Sequence, residues 1–340
     1  MVRIILMLIA VVISVGGMVR GQDSAKVKTF DYVRLKPIVH FFANAEYNPT
    51  KDVEKDYSFW IGRMMFGFQY QFDKHWSSRV LIDRTRLPGS MNTMYLKVAN
   101  LRWTPNDRLA IEAGAVNQTN FIPFETFYGY RFVAETFQDR YYGITSSDLG
   151  IIAYYRISKQ WSVDGAITNG EGPRIDQDNF GKLRFAGGVN FFPVEGLTAR
   201  VFYQLKSTGE PRYTAKEQLI NSYITYRTGD RVRVGVEFIH VRDYLNVPGL
   251  STFGGTAFTC IRIYKSLSYL FRYDRVWLKD QAETAWIPTT IVASQNALIT
   301  GFSIAPIKGI TLCLNYQGVF AFAKPYDPRH RILFSFEYKI

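Results

Sequence analysis

Cysteine is nearly absent, with two residues in a chain of 340, too few to staple a small scaffold with disulfides. Beyond the first 21 residues no apolar run approaches the ~18 to 20 residues that a spanning helix needs, which excludes a helical membrane bundle. No long stretch carries a helical period, so an all-α fold is excluded as well. The four histidines, His40, His75, His240 and His330, show no ligand spacing, and neither a glycine-rich phosphate loop nor a basic helix occurs. No metal, cofactor or nucleic-acid partner is therefore expected.

Aromatic residues, by contrast, abound. The chain carries 26 Phe, 22 Tyr and 6 Trp within a hydrophobic share of 47%, yet its mean hydropathy is only -0.09. Such a hydrophobic share is incompatible with a disordered chain. Apolar and polar residues must instead be finely interleaved. The formal net charge is +12.

The N-terminus has the layout of a secretory signal peptide over residues 1–21. Arg3 gives a basic start, Ile4 to Val15 an apolar run shorter than a membrane anchor, and Val19-Arg20-Gly21 small residues near a cleavage point. Cleavage removes Arg3 and Arg20 from 41 basic residues and none of 29 acidic ones, which leaves a net of +10. Residues 22–340 then form one domain.

Their rhythm is period two. Phe334, Phe336, Tyr338 and Ile340 alternate with Ser335, Glu337 and Lys339, and Met64, Phe66, Phe68, Tyr70 and Phe72 alternate against Arg63, Gln69 and Gln71. Val232, Val234, Val236 and Phe238 repeat the pattern against Arg231, Arg233 and Glu237. Each is a strand with one apolar and one polar face. Short turn signals, such as Asp73-Lys74-His75 and Thr228-Gly229-Asp230, alternate with longer polar connections. They divide the chain into about 16 strands of the length expected for a membrane-spanning antiparallel β-barrel, with short periplasmic turns and long extracellular loops. A soluble sandwich would also alternate. The leader, the strand length, the short and long connections, and Trp60, Trp76, Trp103, Trp161 and Trp277 near strand ends favour the membrane barrel, whose closure leaves no unpaired edge in lipid.

Three stretches carry a resemblance. Residues 128–149, beginning Tyr-Gly-Tyr-Arg-Phe-Val-Ala-Glu-Thr-Phe, the run Met65 to Ser77 with Arg79 to Asp83 after it, and Thr168-Asn169-Gly170-Glu171-Gly172 resemble outer-membrane porins of Bacteroidota, a group similar to the phosphate-selective porin O/P family. The resemblance implies a passive diffusion channel, commonly trimeric, in a Gram-negative outer membrane. A basic ladder like that of the phosphate-selective members cannot be traced residue by residue.

The connection from Asn120 to Asp148 is too apolar for a free surface loop, because Phe121, Phe124, Phe127, Tyr128, Tyr130, Phe132 and Phe137 all need packing partners. Folding back into the barrel would supply them and would bring Arg131, Glu135, Asp139 and Arg140 to a constriction. Mutual pairing of these charges is the competing reading. Alternation assigns Arg63, Arg79, Arg184, Arg200, Arg231, Arg233, Arg272 and Lys339 to the lumen wall, with Asp83, Glu112, Asp164, Glu237, Asp274 and Glu337. Eight basic against six acidic groups predict a weak anion preference. Cross-strand pairing, which would make these charges merely structural, is the alternative.

The expected function is a channel for small hydrophilic solutes, with outer-membrane lipid and a homotrimer as the expected surroundings. Two alternatives differ in class. A lipase-like barrel enzyme would need a Ser and a His together on the outer wall, for which His240 is the candidate base. A transporter of hydrophobic compounds would want a plug and an apolar lumen, and Gln22 to Lys28 is too short to be a plug.

Overall fold

The computed structural model describes residues 34–50, 57–86, 92–174, 181–207, 215–279, 294–321 and 328–340. The leader over residues 1–21 and the segment Gln22 to Lys28 lie outside the described residues.

Sixteen strands follow in order: β1 (Leu35–Tyr47), β2 (Tyr57–Gln71), β3 (Trp76–Arg86), β4 (Asn92–Trp103), β5 (Leu109–Asn117), β6 (Ser147–Arg156), β7 (Trp161–Thr168) and β8 (Arg184–Phe191). They continue as β9 (Leu197–Lys206), β10 (Glu217–Thr228), β11 (Val232–Arg242), β12 (Ser251–Tyr264), β13 (Leu267–Lys279), β14 (Gln295–Ile307), β15 (Ile310–Ala321) and β16 (Arg329–Lys339). Each pairs antiparallel with its chain neighbours, and β1 pairs with β16 through a register running from His40 opposite Lys339 to Tyr47 opposite Ile332. The sheet is therefore a closed barrel. Closure between the two ends of the chain satisfies every edge, which an open sheet in lipid could not do.

The period-two pattern determines which side chains face outward. Phe238 is 61% exposed and Ile224 59%, while their strand neighbours Glu237, Ile239 and Tyr223 are buried. Charged residues inside and apolar residues outside invert the arrangement of a soluble sheet. At the short-turn end, exposed Trp76 stacks on Trp103 at 5.9 Å, and Trp161 stacks on Phe191 at 4.3 Å. At the other end Trp277 stacks on Phe253 at 4.7 Å. Trp60 departs from the expected girdle. A bulge at Gly62 shifts the register between β1 and β2, so Trp60 turns inward and its Nε1 donates to Glu46 at 2.9 Å.

The connection between β5 and β6 holds two short helices, α1 (Phe121–Tyr128) and α2 (Phe137–Tyr142). Pro123 sits in the first turn of α1, where a missing N–H costs nothing. Gly129 ends the helix in the left-handed region at φ 68°, donating to Glu125 O at 3.0 Å. Gly143 closes α2 in the same way. Both helices pack on inward-facing strand residues. Phe124, Tyr128 and Tyr130 form one aromatic cluster with Tyr223, Phe258, Leu270 and Ile299. Phe137, Tyr141 and Tyr142 form a second with Phe202, Leu219, Ile239 and Val241. The inner wall on β12 to β15 is thus apolar where the helical segment covers it, and is not the uniformly polar lining that alternation suggests. Aromatic rings need an apolar partner, and Cys260 and Cys313, both buried thiols, belong to that partner surface.

Candidate functional site

A charged cavity of about 390 Å³ lies between the inner wall of β2 to β4 and the helical segment. The wall supplies Arg63, Asp83, Arg84 and Lys97, and the segment supplies Arg131, Glu135 and Asp139. Arg174, in the connection after β7, closes one side.

These groups form a chain of alternating charge. Lys97 Nζ donates to Asp83 Oδ2 at 2.9 Å, and Arg63 Nε stands 3.3 Å from the same oxygen. Arg63 Nη1 then donates to Glu125 Oε1 at 3.2 Å. Arg131 Nε lies 3.2 Å from Glu125 Oε2, and Arg131 Nη2 donates to Asp139 Oδ2 at 2.7 Å with Glu135 3.7 Å away. Wall and segment are tied by ion pairs removed from bulk water, and such pairs are costly to break because the surviving partner stays buried.

Two carboxyl groups of the segment titrate in opposite senses. Burial alone would raise Glu125, but the neighbouring Arg63, Arg131 and Lys97 outweigh it and hold its carboxyl down to about 2. Burial dominates at Asp139 and pushes its carboxyl above the usual range, with Glu135 and Glu125 adding to the rise and Arg131 and Arg63 opposing it. Arg140 does not join the group. Its guanidinium lies over the Tyr141 ring at 5.6 Å.

Most of the other wall charges are engaged in local networks. Arg272 makes a two-point contact to Asp274 at 2.8 Å on each arm, donates to Glu135 O at 2.5 Å, and covers the Tyr128 ring at 5.1 Å. Glu237 accepts from Asn221 at 2.9 Å and from Gln138 of α2. Arg200 chelates Asp164 at 2.6 and 2.8 Å, and Arg184 meets Asp148 at 2.8 Å. Glu112 accepts from Asn100 at 2.8 Å and from Arg102. Arg233 donates to Phe127 O at 3.2 Å and faces the Tyr130 ring. Arg79 is half-buried, and its Nε finds no hydrogen-bond partner among the described residues. Glu337 faces His40 at 2.5 Å and Lys339 at 3.4 Å.

Arg231 does not lie on the wall. It sits exposed in the turn before β11, because that strand begins one residue later at Val232. His240 projects outward with Ile220 and Phe253 as its opposite cross-strand neighbours, and among the described residues no hydroxyl hydrogen-bonds to its ring.

Alternation missed Lys97 for a definite reason. The register between β3 and β4 shifts from Leu81 opposite Val98 to Ile82 opposite Leu96, leaving Lys97 as a bulge residue. Lys97 and Val98 are consequently both buried. Glu125 is absent from the expected constriction residues, although it is an acid within the same apolar segment, and only the fold pairs it with Arg63.

No protein-family model matches the sequence, and no curated protein matches it. Solved structures do match. The outer membrane channel DcaP of Acinetobacter baumannii superposes with a TM-score of 0.67 at 10% identity, over 90% of this chain and 97% of that one. The fold is that of outer-membrane porins. An anion-selective porin from Comamonas acidovorans matches with a TM-score of 0.66 at 11% identity, over 90% of this chain and 99% of that one. OmpF of Salmonella typhi, solved with daunomycin, gives 0.67 at 13% identity over 90% and 97%. At these identities the likeness is one of fold. Within the porin fold of this chain, the charged cavity is where the β5–β6 segment meets the wall.

Proposed function

We propose that the chain is an outer-membrane porin, a passive channel for small hydrophilic solutes with a weak anion preference. The carrying observation is the charged cavity between the β2 to β4 wall and the helical segment, inside a closed barrel whose outer face is apolar. In this reading Arg131, Glu135 and Asp139 form the constriction together with Arg63, Asp83 and Lys97. The resemblance to Bacteroidota porins supports the reading, as does the leader-like N-terminus, which would direct export through a cleaved signal peptide. The same resemblance supports a homotrimer.

The anion preference rests on a narrow balance. Arg63, Arg84, Lys97, Arg131 and Arg174 line the cavity against Asp83, Glu135 and Asp139, with Glu125 behind them. Five basic against four acidic groups leave a small positive excess, and a confined field of that sign enriches anions. Planar-bilayer recording of the purified protein tests both parts. Stepwise conductance is expected, with a reversal potential across a salt gradient on the anion side. A reversal potential of the opposite sign would remove the anion preference, and absence of conductance would remove the channel.

A further inference from the structure

Deep in the lumen the cations are matched: Arg63, Lys97, Arg131, Arg184, Arg200 and Arg272 each lie within 3.3 Å of a carboxylate oxygen. Four arginines at the short-turn mouth depart from that rule. Arg227, near the end of β10, stands directly opposite Arg233 of β11. One pair further toward the turns, Arg262 of β12 donates its backbone N–H to Arg231 O at 2.7 Å. Among the described residues no carboxylate forms an ion pair with Arg227, Arg231 or Arg233, and Arg262 has only the exposed Asp230 at 3.7 Å.

Alternation turns all four toward the pore. Arg227 continues the inward face of buried Tyr223 and Thr225, and Arg262 that of Phe258 and Cys260. Arg233 lies on the parity of buried Glu237, and Arg231 stands on the same parity just beyond the strand end. The helical segment meets two of them from inside the barrel. Arg227 lies over the Phe127 ring at 5.6 Å, while Arg233 donates to Phe127 O at 3.2 Å and lies over the Tyr130 ring at 5.5 Å. That bond uses one of the five N–H donors a guanidinium carries.

Like charges directly opposite one another on a sheet are destabilising, and here two such pairs stand side by side. An anion held between them offsets the repulsion. Opposite Cβ atoms are about 5 Å apart, which lets two guanidinium forks close on one oxyanion.

We infer that these arginines bind the oxyanion groups of passing solutes, whether carboxylate, sulfate or phosphate, and that this mouth sets the sign of the channel more than the charged cavity does. The cavity carries five basic groups against four acidic ones, most of them joined in ion pairs, whereas the mouth carries four arginines against Asp230. A doubly charged oxyanion gains over chloride, because the forks reach several oxygens at once. The inference rests on the reading of the chain as a channel.

Planar-bilayer recording of the full chain, with sulfate added to one side and then to the other, tests it. The bath is potassium chloride at about 1 M, where a Debye length of about 3 Å silences charges that do not touch the ion. Sulfate is expected to interrupt the current at lower concentration from one side than from the other. Arg231→Gln and Arg262→Gln, both at exposed residues, should each weaken that block about five-fold. Together they should also move the reversal potential toward cations, and adding Arg227→Gln should extend both changes. Lys74→Gln with Arg108→Gln, at exposed cations of other short turns, should leave the block unchanged. A conducting wild-type channel without sided sulfate block would overturn the site alone, as would equal weakening in the Lys74 and Arg108 control. An unchanged reversal potential in the Arg231 and Arg262 double variant would return the selectivity to the cavity. Absence of conductance in the wild-type chain would overturn the channel reading itself.

Discussion

Glu125 and Asp139 lie in one network, yet protonation should affect them in opposite order. The Asp139 carboxyl is raised by burial, so it takes up its proton first as pH falls from neutrality. That step removes a negative charge from the cavity, and the reversal potential should shift in the direction of anions. Glu125, held down to about 2 by Arg63, Arg131 and Lys97, keeps its charge through the same range. Its depressed value contributes stability that is complete above the ordinary glutamate range and is lost progressively as pH falls from that range to about 2. Glu125→Gln is the corresponding test. It leaves the buried Arg63 and Arg131 short of a partner, which costs about 3 kcal/mol. Faster amide exchange over residues 121–142 would report that loss.

The helical segment is held at the scale of the element by aromatic packing as much as by charge. Phe124 meets Tyr223 at 5.2 Å and Phe258 at 5.8 Å, while Tyr130 shares a 2.8 Å hydrogen bond with Ser303 and Gln317 donates to Val133 O at 2.8 Å. Contacts to β10, β12, β14 and β15 brace one long connection from several sides. Phe124→Ala should loosen it by about 3 kcal/mol, the usual cost of emptying a buried aromatic site, and should appear as noisier single-channel current. Gly129→Ala is predicted to act through the turn. The residue has φ 68°, and an added Cβ would stand 2.3 Å from Arg233 Nη1. The backbone strain of about 1 kcal/mol is joined by displacement of Arg233 from Phe127 O, so susceptibility of the segment to protease should rise.

Across the whole molecule, the barrel ladder and the helical segment are separable. Every strand is paired on both sides by backbone hydrogen bonds that do not involve residues 118–146. Replacing residues 122–144 by a short Gly-Ser linker should therefore leave a closed barrel, seen as an unchanged β-sheet circular dichroism spectrum. Conductance should rise several-fold and the pH dependence assigned to Asp139 should vanish, because the obstruction and its carboxyl are removed together.

Strand count, strand faces and the order of short and long connections follow from the sequence alone. A membrane barrel pairs each strand with its chain neighbour and sends alternate side chains to lipid and lumen, so local pattern and global position coincide; Phe238 outside and Glu237 inside are read from adjacent letters. The aromatic content of the β5–β6 connection likewise announces a need for packing. What occupies the lumen was decided by tertiary structure. The apolar wall around Leu270, Ile299 and Cys313 takes on meaning only when Phe124 and Tyr130 are brought against it from distant sequence. Bulges at Gly62 and Lys97 break the period by one residue, turning Trp60 inward and adding a buried cation that alternation cannot see. Ion pairs such as Arg63 with Glu125 form across 62 residues. Period two specifies the face of a side chain, whereas its partner depends on where the barrel closes and where the segment folds.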